Sequence, residues 1–161
     1  MSYKVNEIFL SVQAEGHNAG RLAVFVRFSG CNLKCPFCDT NHEPYTEMTA
    51  AEINAEITRL NADKNALVVF TGGEPTLQLK DAEELAQGYQ RAMESNGTGE
   101  LPKWWTENDW LTISPKTKLP AEAYSKAKDG NKRLTKNFKV REEHVVRRMR
   151  MYCYVNAGLT I

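Results

Sequence analysis

Two short runs, LAVFVRF (22–28) and ALVVF (66–70), carry apolar residues at consecutive positions rather than alternate ones. A strand with one wet face alternates apolar and polar residues, whereas a strand covered on both faces does not. Both runs therefore require cover on two sides, which is the situation of a parallel sheet. The segment between them supplies that cover. In TAAEINAEITRL (49–60), Thr49 and Glu52 make a capping box, and Ile53, Ile57 and Leu60 fall on one helical face. Strand, helix and strand in that order imply a βαβ unit and a mainly parallel α/β sheet. WLTI (110–113) reads as a further strand, and DAEELAQ (81–87) as a short helix ending near Gly88. YQRAM (89–93) fits either a continuation of that helix or a strand.

The chain has 161 residues, which is most simply a single domain over 1–161. A 42% hydrophobic content and a mean hydropathy of −0.52 are those of a soluble globular protein. No apolar run approaches the roughly 20 residues of a membrane span, and the start lacks the apolar core of a secretory signal. The expected location is therefore cytoplasmic, where thiols stay reduced and four cysteines point to metal or redox chemistry. Net charge is +1 but uneven. Residues 1–110 carry 16 acidic and 9 basic side chains, and residues 111–161 carry 4 and 12. The basic residues are scattered and lack an aromatic-rich RNA-binding motif, so no nucleic-acid partner and no membrane partner is expected.

Each strand is followed by a polar loop: GCNLKCPFCDT (30–40), TGGEP (71–75), ESNGT (94–98) and SPK (114–116). Loops after parallel strands emerge at one carboxyl-terminal rim, where ligands and chemistry collect. In the first of them, Cys31, Cys35 and Cys38 have the spacing C-x3-C-x2-C, which wraps three thiolates around one compact object. Structural zinc takes four ligands, and a [4Fe–4S] cluster also normally takes four cysteines. Cys153 is far away, and His42 is the only histidine close in sequence. Three cysteines would leave one iron of a cluster open for an exogenous ligand; zinc, or thiols with no metal, remain the alternatives. In the second loop, consecutive glycines permit close backbone approach to a ligand, and Glu74 offers a carboxylate to an amino group.

C-x3-C-x2-C followed by GGEP resembles the radical S-adenosylmethionine (SAM) enzymes. EIFLSVQAEG, the strand ending near Arg27, the loop closing in C-D-T, TGGEPTLQ, GYQRAMESNGT and DWLTISPK are more narrowly similar to the 7-carboxy-7-deazaguanine synthase family. The likeness runs from about Glu7 to Lys116. It implies a partial, laterally open (β/α) barrel of the radical SAM type, reduced in size, and it makes YQRAM a strand. It also implies the conversion of 6-carboxy-5,6,7,8-tetrahydropterin to 7-carboxy-7-deazaguanine with loss of ammonia, through reductive cleavage of SAM to a 5′-deoxyadenosyl radical. The cofactors implied are a [4Fe–4S] cluster, SAM and Mg²⁺. The partners implied are a flavodoxin or ferredoxin as electron donor and a second copy in a homodimer.

Carried over residue by residue, the resemblance gives Cys31, Cys35 and Cys38 to the cluster and Thr40 to Mg²⁺, a hard ion that takes oxygen ligands. Phe37, Cys38, Asp39, Gly73, Glu74, Ser114, Pro115 and Lys116 go to SAM. Val12, Gln13, Ala14, Glu15, Arg27 and Thr71 go to the pterin, with the planar fork of Arg27 suited to its carboxylate. Glu94 and Asn96 share that rim, where a turn role is the plainer one. His17 reads as a surface residue, and Trp104 and Trp105 as cover for the core or a dimer interface. Three departures stand out: Ala14 replaces a glycine, Ser95 replaces a threonine, and residues 117–161 match the family poorly. NFKV (137–140) faintly resembles a further family strand, and Cys153 reads as a semi-buried thiol. A glycyl-radical activase and a non-catalytic SAM-binding protein are the competing functions.

Overall fold

The computed structural model describes residues 1–35, 38, 40, 41 and 43–114, and the backbone of 150–153. Among them, seven strands make one sheet: β1 (Ser2–Val12), β2 (Leu22–Phe28), β3 (Thr46–Thr49), β4 (Leu67–Gly72), β5 (Arg91–Ser95), β6 (Trp110–Ile113) and β7 (Arg150–Cys153). Their order is β3-β1-β2-β4-β5-β6-β7. β2, β4, β5, β6 and β7 run parallel, while β1 is antiparallel to both β2 and β3. The sheet ends on different strands and is open laterally, as expected.

The first βαβ unit forms as its sequence demands. Helix α1 (Ala50–Leu60) starts at Thr49, whose hydroxyl accepts from the Glu52 backbone while the Glu52 carboxylate accepts from the Thr49 backbone. Ile53 and Ile57 are fully buried beneath it. On that face of the sheet, Tyr3, Val5, Val24, Val26, Phe28, Val68, Phe70, Met93, Leu111 and Ile113 make the main core, closed at one end by Trp105. Fully burying one such apolar side chain stabilises by about 1.5–3 kcal/mol. The opposite face has a smaller cluster, Ala23, Phe25, Leu67, Val69 and Ala92, flanked by Phe9 and Trp110. Successive residues of β2 and β4 thus alternate between a larger and a smaller cluster, and the thinner side, away from α1, is the concave one of a partial barrel.

Residues 81–87 do not form the expected helix; they lie in a series of turns. Ala86 has φ of 52°, which ends any right-handed continuation. The backbone groups find partners elsewhere: Asn54 on α1 donates to Glu84 O at 2.8 Å and accepts from Ala86 N at 2.9 Å. Leu85 and Ala82 are fully buried in this arrangement, so packing overrides helix propensity. YQRAM does contribute a strand, beginning at Arg91. β1, β3 and β7 have no counterpart in the sequence reading. NFKV and the Cys153 side chain lie outside the described residues. No helix among the described residues is long and apolar enough to cross a membrane.

Asn54→Ala removes both side-chain partners of the 84–86 backbone and leaves α1 capped. We expect a loss of about 1–3 kcal/mol in urea denaturation, the cost of leaving such groups unsatisfied. Unchanged stability would mean that water replaces the side chain without penalty.

Candidate active site

Parallel pairing of β2, β4, β5 and β6 brings their following loops to one rim, and hydrogen bonds stitch those loops together. Gly73 N donates to Phe28 O, Glu74 N to Gly30 O, and Ser114 N to Ser95 O, at 2.9–3.1 Å. A side chain at Gly73 would collide with Gly30 O and come within 2.9 Å of the Cys31 Cβ. Glycine at this position is therefore what allows the TGGEP loop to lie against the cysteine loop.

Glu74 is fully buried. Its Oε1 accepts from Thr76 N (3.1 Å), Thr76 Oγ1 (2.6 Å) and Ser95 Oγ (2.9 Å), and its Oε2 from Asn96 N (2.8 Å). The carboxylate that the resemblance assigns to an amine is thus already engaged by four protein donors, and it joins the TGGEP and ESNGT loops. Asn96 continues the chain of contacts, donating to Asn32 Oδ1 at 3.0 Å, while Asn32 donates to Thr98 Oγ1 at 2.8 Å.

The cysteine loop is thereby fixed at its start. Cys31, Cys35 and Cys38 form no disulfide, and the first two are half-buried and the third exposed. Cys31 Sγ accepts from Leu33 N at 3.4 Å, Cys38 N donates to Cys35 O at 3.1 Å, and the Cys38 thiol donates to Thr40 O at 3.6 Å. Burial pushes the Cys31 thiol above its ordinary range. The Leu33 N–H opposes this, and the Glu74 carboxylate and the other two thiols add to it. A metal that binds here must displace a proton from Cys31, so loading becomes easier as pH rises.

Further along the same rim, on the concave face, three expected residues meet. Glu94 Oε1 accepts from Gln13 Nε2 and its Oε2 from Thr71 Oγ1, both at 2.8 Å. Gln13 Oε1 in turn accepts from Glu15 N at 2.9 Å. Glu94, left with a turn role in the sequence reading, is the junction of this group. Arg27 pairs in register with Thr71 on one side and Glu7 on the other. Its guanidinium lies over the Phe9 ring at 5.4 Å, and its Nε is 3.2 Å from Glu7 Oε1. That approach lacks hydrogen-bond alignment, so Nε has no hydrogen-bond partner among the described residues. Glu7 was missed; its registry opposite Arg27 is the signal, and it becomes readable once β1 is known to be a strand.

Other expected residues sit differently. Val12 pairs with Leu22 on the convex face, with its side chain 56% exposed, so only its backbone is available to the concave side. Ala14 is exposed, and Ser95 is buried on Glu74. His17 is exposed and stacks on Trp110, with ring centroids 4.4 Å apart. Trp104 and Trp105 pack on Phe70 in the core. Phe37, Asp39, His42, Pro115 and Lys116 lie outside the described residues.

An open, largely parallel sheet with a three-cysteine loop and a glycine loop sharing its carboxyl rim defines a class of enzyme scaffold. The chain belongs to the radical SAM superfamily, whose family model matches residues 25–155. It is 50% identical over 119 residues to a 7-carboxy-7-deazaguanine synthase of Bacteroides thetaiotaomicron, covering 72% of this chain and 62% of that one. It is 42% identical over 144 residues to the Caulobacter vibrioides 7-carboxy-7-deazaguanine synthase, covering 74% and 66%. A crystal structure of QueE from Escherichia coli superposes with a TM-score of 0.63 at 30% identity, over 73% of this chain and 61% of that one. The chain thus spans a little under two thirds of the length of these relatives.

Membership implies a [4Fe–4S] cluster and SAM, and the residues present fit them. Three cysteines outside any disulfide are gathered in one loop, and a glycine admits the backbone beside Cys31. Among the described residues no three Cys, His, Asp or Glu side chains converge closely enough to hold a single ion. A cluster, which takes each thiolate on a different iron, does not require that convergence.

Cys31→Ala, Cys35→Ala and Cys38→Ala should each abolish the brown colour and the roughly four irons per chain of anaerobically reconstituted protein, with Cys153→Ala unaffected. Retention of full iron in any of the three would remove that cysteine from the site. Glu74→Gln is a separate test. Each carboxylate oxygen faces a backbone N–H, so the amide NH₂ must oppose a donor in either orientation. We expect about 1–3 kcal/mol lower stability and weaker SAM binding by calorimetry; an unchanged pair of values would show that the loops hold without it.

Proposed function

We propose that the chain converts 6-carboxy-5,6,7,8-tetrahydropterin to 7-carboxy-7-deazaguanine with release of ammonia. The observation that carries this reading is the concave group of Arg27, Thr71, Glu94 and Gln13, set beside the cysteine rim. The names of the relatives support it, as does a site with one arginine for a carboxylate and several amide and carboxylate acceptors for a pterin edge.

When bound, the cluster and SAM supply the radical chemistry that removes a hydrogen atom from the substrate. The protein's own part is binding and orientation. Arg27, stacked on Phe9 and held from one side by Glu7, takes the substrate carboxylate. Thr71, Gln13 and Glu94 accept and donate along the ring edge, with the Gln13–Glu94 contact keeping the 13–15 segment against β5. The TGGEP backbone at Gly73 and the Ser114 region receive SAM, with Phe37, Asp39, Pro115 and Lys116 as further contacts. Glu74 holds these loops in place rather than touching the ligand. The Thr40 hydroxyl serves Mg²⁺. A cytoplasmic homodimer fed by flavodoxin or ferredoxin completes the proposal.

The test is an anaerobic assay with reconstituted cluster, SAM, Mg²⁺, a low-potential reductant and the carboxypterin. Formation of 7-carboxy-7-deazaguanine is expected. SAM cleavage that ignores the carboxypterin would overturn the reading. Arg27→Ala should weaken carboxypterin binding by roughly the 2–5 kcal/mol lost when one member of a buried charge pair is removed. Arg27→Lys, which keeps the charge but loses the fork, should fall in between. SAM affinity should hold in both; equal loss of SAM and pterin would make Arg27 structural.

A further inference from the structure

The cysteine loop is anchored at its start by glycine packing and by Asn96, but it runs on for many residues before β3 begins at Thr46. What holds its far end is a defect in β1. Val5 pairs with Phe28 and Glu7 with Arg27, so Asn6 is an extra residue with no opposite number on β2. This is a β-bulge, a device that re-aims one side chain and often sits beside an active site. On the other edge of β1, pairing with β3 covers residues 2–5 and stops at Val5↔Thr46. Asn6 is thus the first β1 residue beyond that ladder, where the cysteine loop comes in to become β3.

The side chain spans the gap. Asn6 Nδ2 donates to Pro44 O at 2.6 Å and to Asn41 O at 3.2 Å. These are two backbone carbonyls of the returning loop, one of them three residues past Cys38 and next to Thr40. Ser29 Oγ adds a longer contact to Glu43 O at 3.3 Å. The bulge itself is braced. Ser29 N donates to Lys4 O at 2.8 Å, and the Gln78 side chain accepts from Lys4 N at 2.7 Å and donates to Ser29 O at 2.9 Å. Gln78 follows the TGGEP loop, so both arms of the rim are referred to the same kink.

We infer that Asn6 is a positioning residue for the cluster: through the carbonyls of Asn41 and Pro44 it sets where the third cysteine of the loop sits relative to the first two. The amide NH₂ is the working group, since both partners are acceptors. Outer partners that fix metal ligands typically change metal affinity or activity by about 10–100-fold when lost. The inference rests on family membership and its cluster, and not on the substrate reading, so it is tested without carboxypterin.

Asn6→Asp keeps the shape of the side chain but replaces the donor by an oxygen facing two carbonyl oxygens; Asn6→Ala removes the group. Full-length protein of each variant is reconstituted anaerobically with iron and sulfide. Three quantities are measured: the rate at which the cluster absorbance bleaches on exposure to air, the affinity for SAM, and the melting temperature of the cluster-free protein. Bleaching should accelerate about 10-fold, more in Asn6→Asp than in Asn6→Ala, with weaker SAM binding and an unchanged cluster-free melting temperature. Bleaching at the wild-type rate in both variants would overturn the inference. A parallel fall in the cluster-free melting temperature would overturn it too, because Asn6 would then be supporting the sheet and not the cluster.

Discussion

The rim depends on the burial of one carboxyl group. Glu74 has no solvent exposure, and a carboxyl group withdrawn from water must recover its hydrogen bonds from the protein. Its partners come from two places: the turn it begins, through Thr76, and the loop after β5, through Ser95 and Asn96. Satisfying Glu74 therefore fixes the separation of β4 and β5 at their carboxyl ends. Through Asn96 and Asn32 the same constraint reaches the cysteine loop. Loops are usually the soft part of an α/β scaffold; here the internal need of one acidic side chain stiffens them.

The two faces of the sheet divide the labour. The convex face carries the larger core, with Tyr3, Phe28, Phe70 and the α1 isoleucines fully or almost fully buried, and it supplies the stability. The concave face has a small apolar floor of Ala23, Phe25, Leu67, Val69 and Ala92, above which Arg27, Thr71 and Glu94 stand nearer the rim. The polar groups above this floor define an orientation. An apolar floor with a few convergent polar groups is the usual make-up of a ligand site.

The elements readable in the sequence were those whose pattern is unbroken. LAVFVRF and WLTI match β2 and β6 to the residue, and the Thr49–Glu52 capping box marks the start of α1. β1 was hidden because its alternation changes phase. Tyr3 and Val5 face the main core, and after the bulge it is Ile8 that packs there, so neither a period of two nor of 3.6 survives over the whole stretch. The 81–87 helix was overpredicted because composition does not show that Asn54 would compete for the backbone groups of that segment. At the site, cysteine spacing and glycine pairs are local signals and were legible. The Glu74 and Glu94 networks join residues more than twenty positions apart, and no local pattern encodes them.

The bulge at Asn6 also governs how this strand can change. The bulge, more than any single contact, sets the phase of every later side chain. Were Asn6 drawn into the ladder as an ordinary strand residue, Glu7 and Phe9 would turn into the main core, and Ile8 would turn onto the other side beside Arg27. A buried, unpaired acid on one face and an arginine without its stacking ring on the other would follow. Loss of Asn6 itself, by contrast, would leave an unbroken alternation with every later residue on its present face, so the strand can shed the kink but cannot keep the residue without it.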